Sequence, residues 1–149
     1  KMEEKLLKDY IKKRSLIKRS QNINIARSLI EIAQITAKSA LNIPLKEENS
    51  IVIFREIYEI LRQLGDAKLW MMGYETRQHE PSIKILTYAK ISNPLSLNNL
   101  DRFRLIRNDA NYRGYKITLE QAKEIHDFWK RYGPEIIEWI KSGLNHKTQ

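Results

Sequence analysis

The chain has 149 residues, no Cys, and 27 Lys plus Arg against 18 Asp plus Glu, a net charge of +9. One hydrophobic core suffices at this length, the lack of Cys excludes disulfides, thiolate metal sites and a Cys nucleophile, and no stretch approaches the roughly 18 apolar residues of a membrane span. The expectation is a soluble, cytoplasmic single domain over residues 1–149, without membrane association, whose positive field favours phosphate-rich partners.

Apolar residues recur at three-to-four spacing almost throughout, while the 5 Gly and 4 Pro are sparse, so the fold class reads as all-α with no segment patterned as a sheet. A basic amphipathic helix is expected over about residues 3–20, with Leu6, Leu7, Tyr10, Ile11 and Ile17 on its apolar side. Residues 1–19 hold eight Lys or Arg against three acidic residues, which suits either a polyanion-binding arm or a solvated helix face. A second stretch carries Ala26, Leu29, Ile30, Ala33, Ala37, Ala40 and Leu41; the SQNIN run before it is either a joint or the interior of one longer helix.

NIPLKEENS reads as a connector, because Pro44 disfavours helix at Ile43, and Ser50 is placed to N-cap a third helix. Ile53, Ile57, Ile60, Leu61, Leu64 and Ala67 line one face of that helix up to about Met72, with Gly73 as terminator. Gly65 inside it costs about 1 kcal/mol relative to Ala, tolerable in a buried helix. A short helix from Ile83 to about Ala89 follows Pro81, and NPLSLNN breaks the chain before a helix starting near Ser96 or Asn99.

Thr118 and Gln121 have capping-box spacing at the start of the last long helix, where Ala122, Ile125, Phe128, Trp129 and Tyr132 share one side. Gly133 and Pro134 should break or kink it before Ile136, Ile137 and Ile140. Short connectors favour antiparallel neighbours, so the expected architecture is an antiparallel four-helix up-and-down bundle with additional short helices.

His79, His126 and His146 are scattered and match no zinc-site pattern, with His126 expected on a helix surface; no metal or cofactor is expected. Phosphate-binding glycine loops, nucleophile elbows and isolated acidic pairs are also missing. Trp70, Trp129 and Trp139 sit on or beside apolar stripes and read as packing residues.

The run LDRFRLIRNDANYRGYKIT places Phe103, Ile106 and Ala110 on one helical face and Leu100, Arg104, Arg107 and Asn111 on the adjoining one. Arg107 with Asn111, and Asn108 with Tyr112, can touch across one turn, whereas Arg107 and Tyr112 point about 140° apart in a regular helix. Read locally, this is a helix end closed by Gly114 with Arg104 paired to Asp101. Read as a site, the polar segment RNDANYRG is where function belongs.

RNDANYRGYKITLEQAKEI resembles the end of the third and the start of the fourth core helix of HEPN domains, whose pattern is Arg, usually a polar residue, three further positions, then His. Upstream, FREIYEILRQLGDAKLWMMGYETRQHEPSI is similar to the second helix and His-containing connector of archaeal HEPN proteins. The resemblance covers about residues 22–141, with the basic amino-terminal stretch outside it or loosely inside. It implies a HEPN-type bundle, a homodimer, a role in a toxin–antitoxin or defence system, and a nucleotidyltransferase antitoxin as partner. It also implies a metal-independent endoribonuclease, in which Arg and His promote attack of a ribose 2′-hydroxyl on the neighbouring phosphate.

Carried over residue by residue, Arg107 matches the family Arg, Asn108 the polar residue after it, and Tyr112 the position usually held by His. These three form the candidate catalytic group, with Arg104, Asn111 and Arg113 as supporting nucleic-acid contacts. A guanidinium suits phosphate oxygens, but a Tyr with its ordinary pKa near 10 is a poor base at neutral pH. His79, from the neighbouring connector, could take over proton transfer; otherwise it is a cap or surface group. Three readings remain open: a dimeric HEPN protein that binds RNA and cleaves it, a catalytically inactive HEPN-fold module binding a partner protein or a nucleotide, and a small-molecule-binding bundle, for which no positive signal exists.

Overall fold

The computed structural model describes residues 2–148, with side chains described through residue 144; the side chain of His146 lies outside that set. The described residues form six α-helices and one two-stranded ribbon, so the protein is all-α apart from that ribbon. In chain order they are α1 (Met2–Lys12), β1 (Leu16–Lys18), α2 (Ile23–Leu41), α3 (Ser50–Met72), β2 (Tyr74–Thr76), α4 (His79–Leu86), α5 (Asn99–Arg113) and α6 (Leu119–Thr148).

Helix α3 buries residues on several sides along its length, and it is the hub on which α2, α4, α5 and α6 all pack. Its Ile53, Ile57, Ile60, Leu61, Leu64 and Ala67 are all completely buried, as their spacing predicts. Against them α2 sets Ala26, Ala33, Ala37 and Ala40, whose small side chains let two helix backbones run close together. Trp129 is buried, and Trp70 and Trp139 pack at the edge of the same core.

The amino-terminal arm differs from the expected single basic helix. It stops at Lys12, Arg14 adopts φ 62°, and Ile17 lies in β1. The chain then pairs antiparallel with β2 in the register Leu16 with Thr76, Ile17 with Glu75 and Lys18 with Tyr74. The SQNIN run is therefore a joint: Asn22 caps α2 by accepting the Ile25 N–H at 3.0 Å. Leu7, Tyr10 and Leu16 form a second small core with Leu69 of α3 and Ile85 of α4, leaving Lys5, Lys8 and Lys12 exposed on the outside.

Several helix ends follow local chemistry. Gly73 closes α3 in the left-handed region at φ 89°. Thr118 and Gln121 form a reciprocal capping box, with the Gln121 N–H donating to Thr118 Oγ1 at 3.1 Å and the Thr118 N–H donating to Gln121 Oε1 at 3.0 Å. Ser50 is not a cap: it is the first residue of α3, and its hydroxyl donates back to the Lys46 carbonyl. Helix α4 starts at His79 rather than Ile83, because Pro81 falls in the first turn, where its missing N–H has no intrahelical partner to lose.

Pro134 does not break α6, which runs through it. Pro134 and Lys130, the residue whose carbonyl loses its donor, are both exposed, so water can serve that carbonyl. Gly133 is buried, and a Cβ there would come within 2.6 Å of the Trp129 ring. His126 is buried at 7% exposure instead of lying on the helix surface. Among the described residues no helix is long and apolar enough to cross a membrane.

Candidate functional site

Helix α5 is the most polar of the long helices, and only Leu100 and Phe103 are fully buried in it. Ile106 and Ala110 pack half-buried at the edge of the core, and the polar residues of RNDANYR lie on the more open sides of the helix. Gly114 ends the helix in the left-handed region at φ 70°, its N–H donating to the Asp109 carbonyl. Arg104 is paired with Asp101, Nε to Oδ1 at 3.1 Å. Both features of the local reading are present, and they coexist with a cleft.

That cleft, about 370 Å³, opens between the start of α4 and the outer face of α5 and is lined by Arg77, Gln78, His79, Glu80, Arg104, Arg107, Asn108 and Tyr112. The expected trio Arg107, Asn108 and Tyr112 thus shares one wall with Arg104. Asn111 is turned elsewhere and accepts a hydrogen bond from Arg55 Nη2 of α3 at 2.9 Å. Arg113, in the last turn of α5, is exposed and does not line the cleft.

The cations of the cleft are not equivalent. Arg104 reaches Asp101 at 3.0 Å and Glu80 at 3.3 Å, so two carboxylates offset its charge. Arg107 lies over the Tyr58 ring, 5.8 Å from its centroid, and has no carboxylate partner among the described residues. It is therefore the residue best able to take an anion. Tyr112 stands at the rim with 80% of its surface exposed.

On the opposite wall His79 is held by a buried tyrosine: Tyr58 Oη lies 3.4 Å from His79 Nδ1, with the two ring centroids 5.8 Å apart. Burial lowers the His79 pKa from its ordinary value, and the charges of Arg107 and Arg62 push in the same direction against Glu59. Burial raises Tyr58 to about 12, against the opposing pull of Arg107, Arg104 and Arg62. Both shifts favour the uncharged forms, a neutral imidazole and a phenol that keeps its proton.

Beneath this wall Arg62 is gripped by Glu59 and by Asp66, the latter at 2.6 Å, and the Ser82 hydroxyl donates to the Asp66 carboxylate. Burial raises the Asp66 pKa despite these partners. The network joins α3 to α4 under the cleft and fixes the helix that begins at His79. Among the described residues no group of three or more His, Asp or Glu is placed to hold a metal ion.

The sequence offers His79 either as a stand-in proton-transfer group or as a cap or surface group, and the structure sets it on the cleft wall beside Tyr58, which sequence reasoning does not single out. Its signal is a lone hydroxyl on the aliphatic, buried face of α3, since a buried Tyr usually finds a polar partner. The depressed His79 pKa also links to stability. The unfolded chain binds the proton more readily, so this contribution is complete above pH 6.5 and is lost as pH falls through the lower folded-state value. His79→Gln should flatten that part of the urea-midpoint curve; a variant with the same slope below pH 6.5 would contradict the assignment.

No family model, curated protein or solved structure matches the chain.

Proposed function

We propose that this chain is a HEPN-like RNA-binding protein of the toxin–antitoxin or defence type, which holds a phosphodiester of single-stranded RNA in the Arg107–Asn108–Tyr112 cleft. The observation that supports it is the Arg107 guanidinium, without a carboxylate partner among the described residues and lining a cleft that Asn108 and Tyr112 also line. A guanidinium binds phosphate oxygens through paired donors, an Asn amide supplies one donor group and one acceptor, and an exposed Tyr ring offers a face on which a base can stack. The net charge of +9 favours the same partner. On this reading α2, α3, α5 and α6 correspond to the four core helices of an antiparallel HEPN-type bundle, the protein works in the cytoplasm, and two copies form a homodimer across α5.

A second reading rests on Leu105 and Tyr112, exposed at 49% and 80% on α5, and on the exposed Tyr115 just beyond it. Such residues suit a HEPN-fold interaction module that docks a partner protein, of which a nucleotidyltransferase is the example the resemblance suggests.

Anisotropy with a labelled single-stranded RNA separates the two. The wild type should bind with an affinity that falls steeply with salt. Arg107→Ala should weaken binding at least about tenfold, the scale of a charged hydrogen bond, and reduce the salt slope by about one phosphate contact. If the wild type binds no RNA, or if Arg107→Ala binds as tightly, the RNA reading falls and the module reading takes its place.

A further inference from the structure

Helix α2 has a second apolar side. Ala26, Ile30, Ala33, Ala37 and Ala40 are buried, chiefly against α3. On the outer side Ile25, Ile32 and Ile35 are 36%, 47% and 61% exposed, and Ser28 and Ser39 are exposed along the same line. An apolar stripe left in water on an otherwise well-buried helix asks for a partner.

The spacing of the stripe says what kind of partner. Ile25, Ser28, Ile32, Ile35 and Ser39 follow one another at intervals of 3, 4, 3 and 4 residues, the alternation by which positions a and d of a heptad meet a second helix. Ile25, Ile32 and Ser39 take position a, and Ser28 and Ile35 take position d. At about 100° per residue this seam lies roughly 140° around α2 from the buried alanines, so a second helix can lie on it without touching α3. The two serines are small enough to let the backbones approach.

The flanks of the seam fix the partner and its direction. Glu31 and Lys38 occupy successive g positions, both exposed and neither in an ion pair among the described residues. The e positions hold Leu29 and Thr36, which carry no charge. In a parallel pair g faces e, and both charges would meet uncharged neighbours. In an antiparallel pair g faces g. The register that sets Ile32 against the partner's Ile35 then sets Glu31 against the partner's Lys38 and Ser28 against the partner's Ser39. A two-fold axis repeats each contact with the roles exchanged.

We propose that the outer seam of α2 is an interface between two copies of this chain, paired antiparallel through Ile32 and Ile35 and closed by two Glu31–Lys38 ion pairs. The seam complements itself in charge only in this direction, which is why a second copy is the occupant. It lies on a different helix from the α5 pairing proposed above and does not rest on RNA binding, so a chain engaged at both faces touches two different copies. From Ile25 to Ser39 the seam runs about 21 Å. A single helix stripe of that length falls short of the ~800 Å² per partner of a standard interface, so the pairing is weak and rises with protein concentration.

The chain has no Cys, so thiol cross-linking reads the register directly. The full chain carrying Ser28→Cys and Ser39→Cys is treated with a short bis-maleimide at high protein concentration. These positions lie about 16 Å apart in one helix, too far for a short link within a chain. The double variant should give a covalent dimer, and either single variant little, because its two thiols stand about 16 Å apart along the antiparallel pair. In the same background Lys38→Glu turns both ion pairs into repulsions and should weaken pairing about tenfold. Adding Glu31→Lys should restore it, since the exchanged charges meet again. A double-Cys variant that does not cross-link overturns the proposal, and so does a Ser28→Cys chain that links to itself as readily, the mark of a parallel or unspecific contact. A Lys38→Glu loss that Glu31→Lys fails to rescue also overturns it. Should the Cys variants fail to fold, sedimentation of the wild type, Lys38→Glu and the charge-exchanged chain applies the same rescue test without thiols.

Discussion

Phe103→Ala is expected to cost about 3–5 kcal/mol of stability, the usual range for emptying an aromatic site in a core, and to take the cleft with it. Phe103 is 1% exposed and meets Phe54 of α3 and Phe128 of α6 edge to face, at ring-centroid distances of 6.0 and 5.5 Å. Each such pair adds about 0.5–1.5 kcal/mol beyond the area it buries. Leu100 is also fully buried and Ile106 and Ala110 pack against the same core, but Phe103 is the aromatic that joins α5 to both α3 and α6. Phe103→Leu keeps most of the volume and should lose less than half as much. Urea unfolding followed by circular dichroism measures the loss, and RNA affinity should fall in parallel because Arg107 and Asn108 ride on the same helix. A loss under about 1 kcal/mol would show that α5 is held by something other than this aromatic contact.

Gly65→Ala should also be severely destabilising, against the normal rule. In a helix interior Ala is better than Gly by about 1 kcal/mol, and the sequence suggests a tolerable defect at this position. The structure reverses the sign: a Cβ on Gly65 would stand 1.9 Å from the carbonyl oxygen of Ser82. That neighbour is backbone, so relief requires α3 and α4 to move apart. Overpacking of this kind costs about 3 kcal/mol or more, a fall in Tm on the order of 10 °C for a domain of this size. Moving α4 would also draw His79 from Tyr58 and loosen the bond between Ser82 and Asp66. A Gly65→Ala protein that melts with the wild type would show that α3 and α4 do not approach so closely.

These two sites show where sequence reasoning succeeds and where it stops. The buried stripe of α3, the glycine terminators at 73 and 114, the Thr118–Gln121 box and the Arg104–Asp101 pair all depend on residues within a few positions of one another. Periodicity and cap chemistry read such features directly. Four of the six α5 site residues reach one cleft because helical spacing had already set them on adjoining faces. Asn111 departs because Arg55, 56 positions earlier in the chain, claims its amide oxygen. The need for Gly at 65, the burial of His126 and the place of Tyr58 between His79 and Arg107 arise from contacts between elements, and the passage of α6 through Pro134 depends on that turn facing water. The ribbon escaped notice because three-residue strands are too short to show an alternating pattern.

That ribbon also orders events during folding. Lys18 pairs with Tyr74 across α2 and α3, which lie between them in the chain, and closing so long a loop costs entropy that is smaller once those helices have packed, so late pairing is the expected order. The amino-terminal arm therefore docks late. Its docking also sets Ser15 against Gln78, hydroxyl to side-chain oxygen at 3.1 Å, and brings the Ser15 carbonyl within 3.2 Å of Thr76 Oγ1, whose hydroxyl also lies 2.7 Å from the Gln78 carbonyl. The segment leading into His79 thus reaches its final register when the arm closes. Residues 2–19 act as a clasp on the rim of the cleft, so loosening the arm would also release the strand that leads into His79.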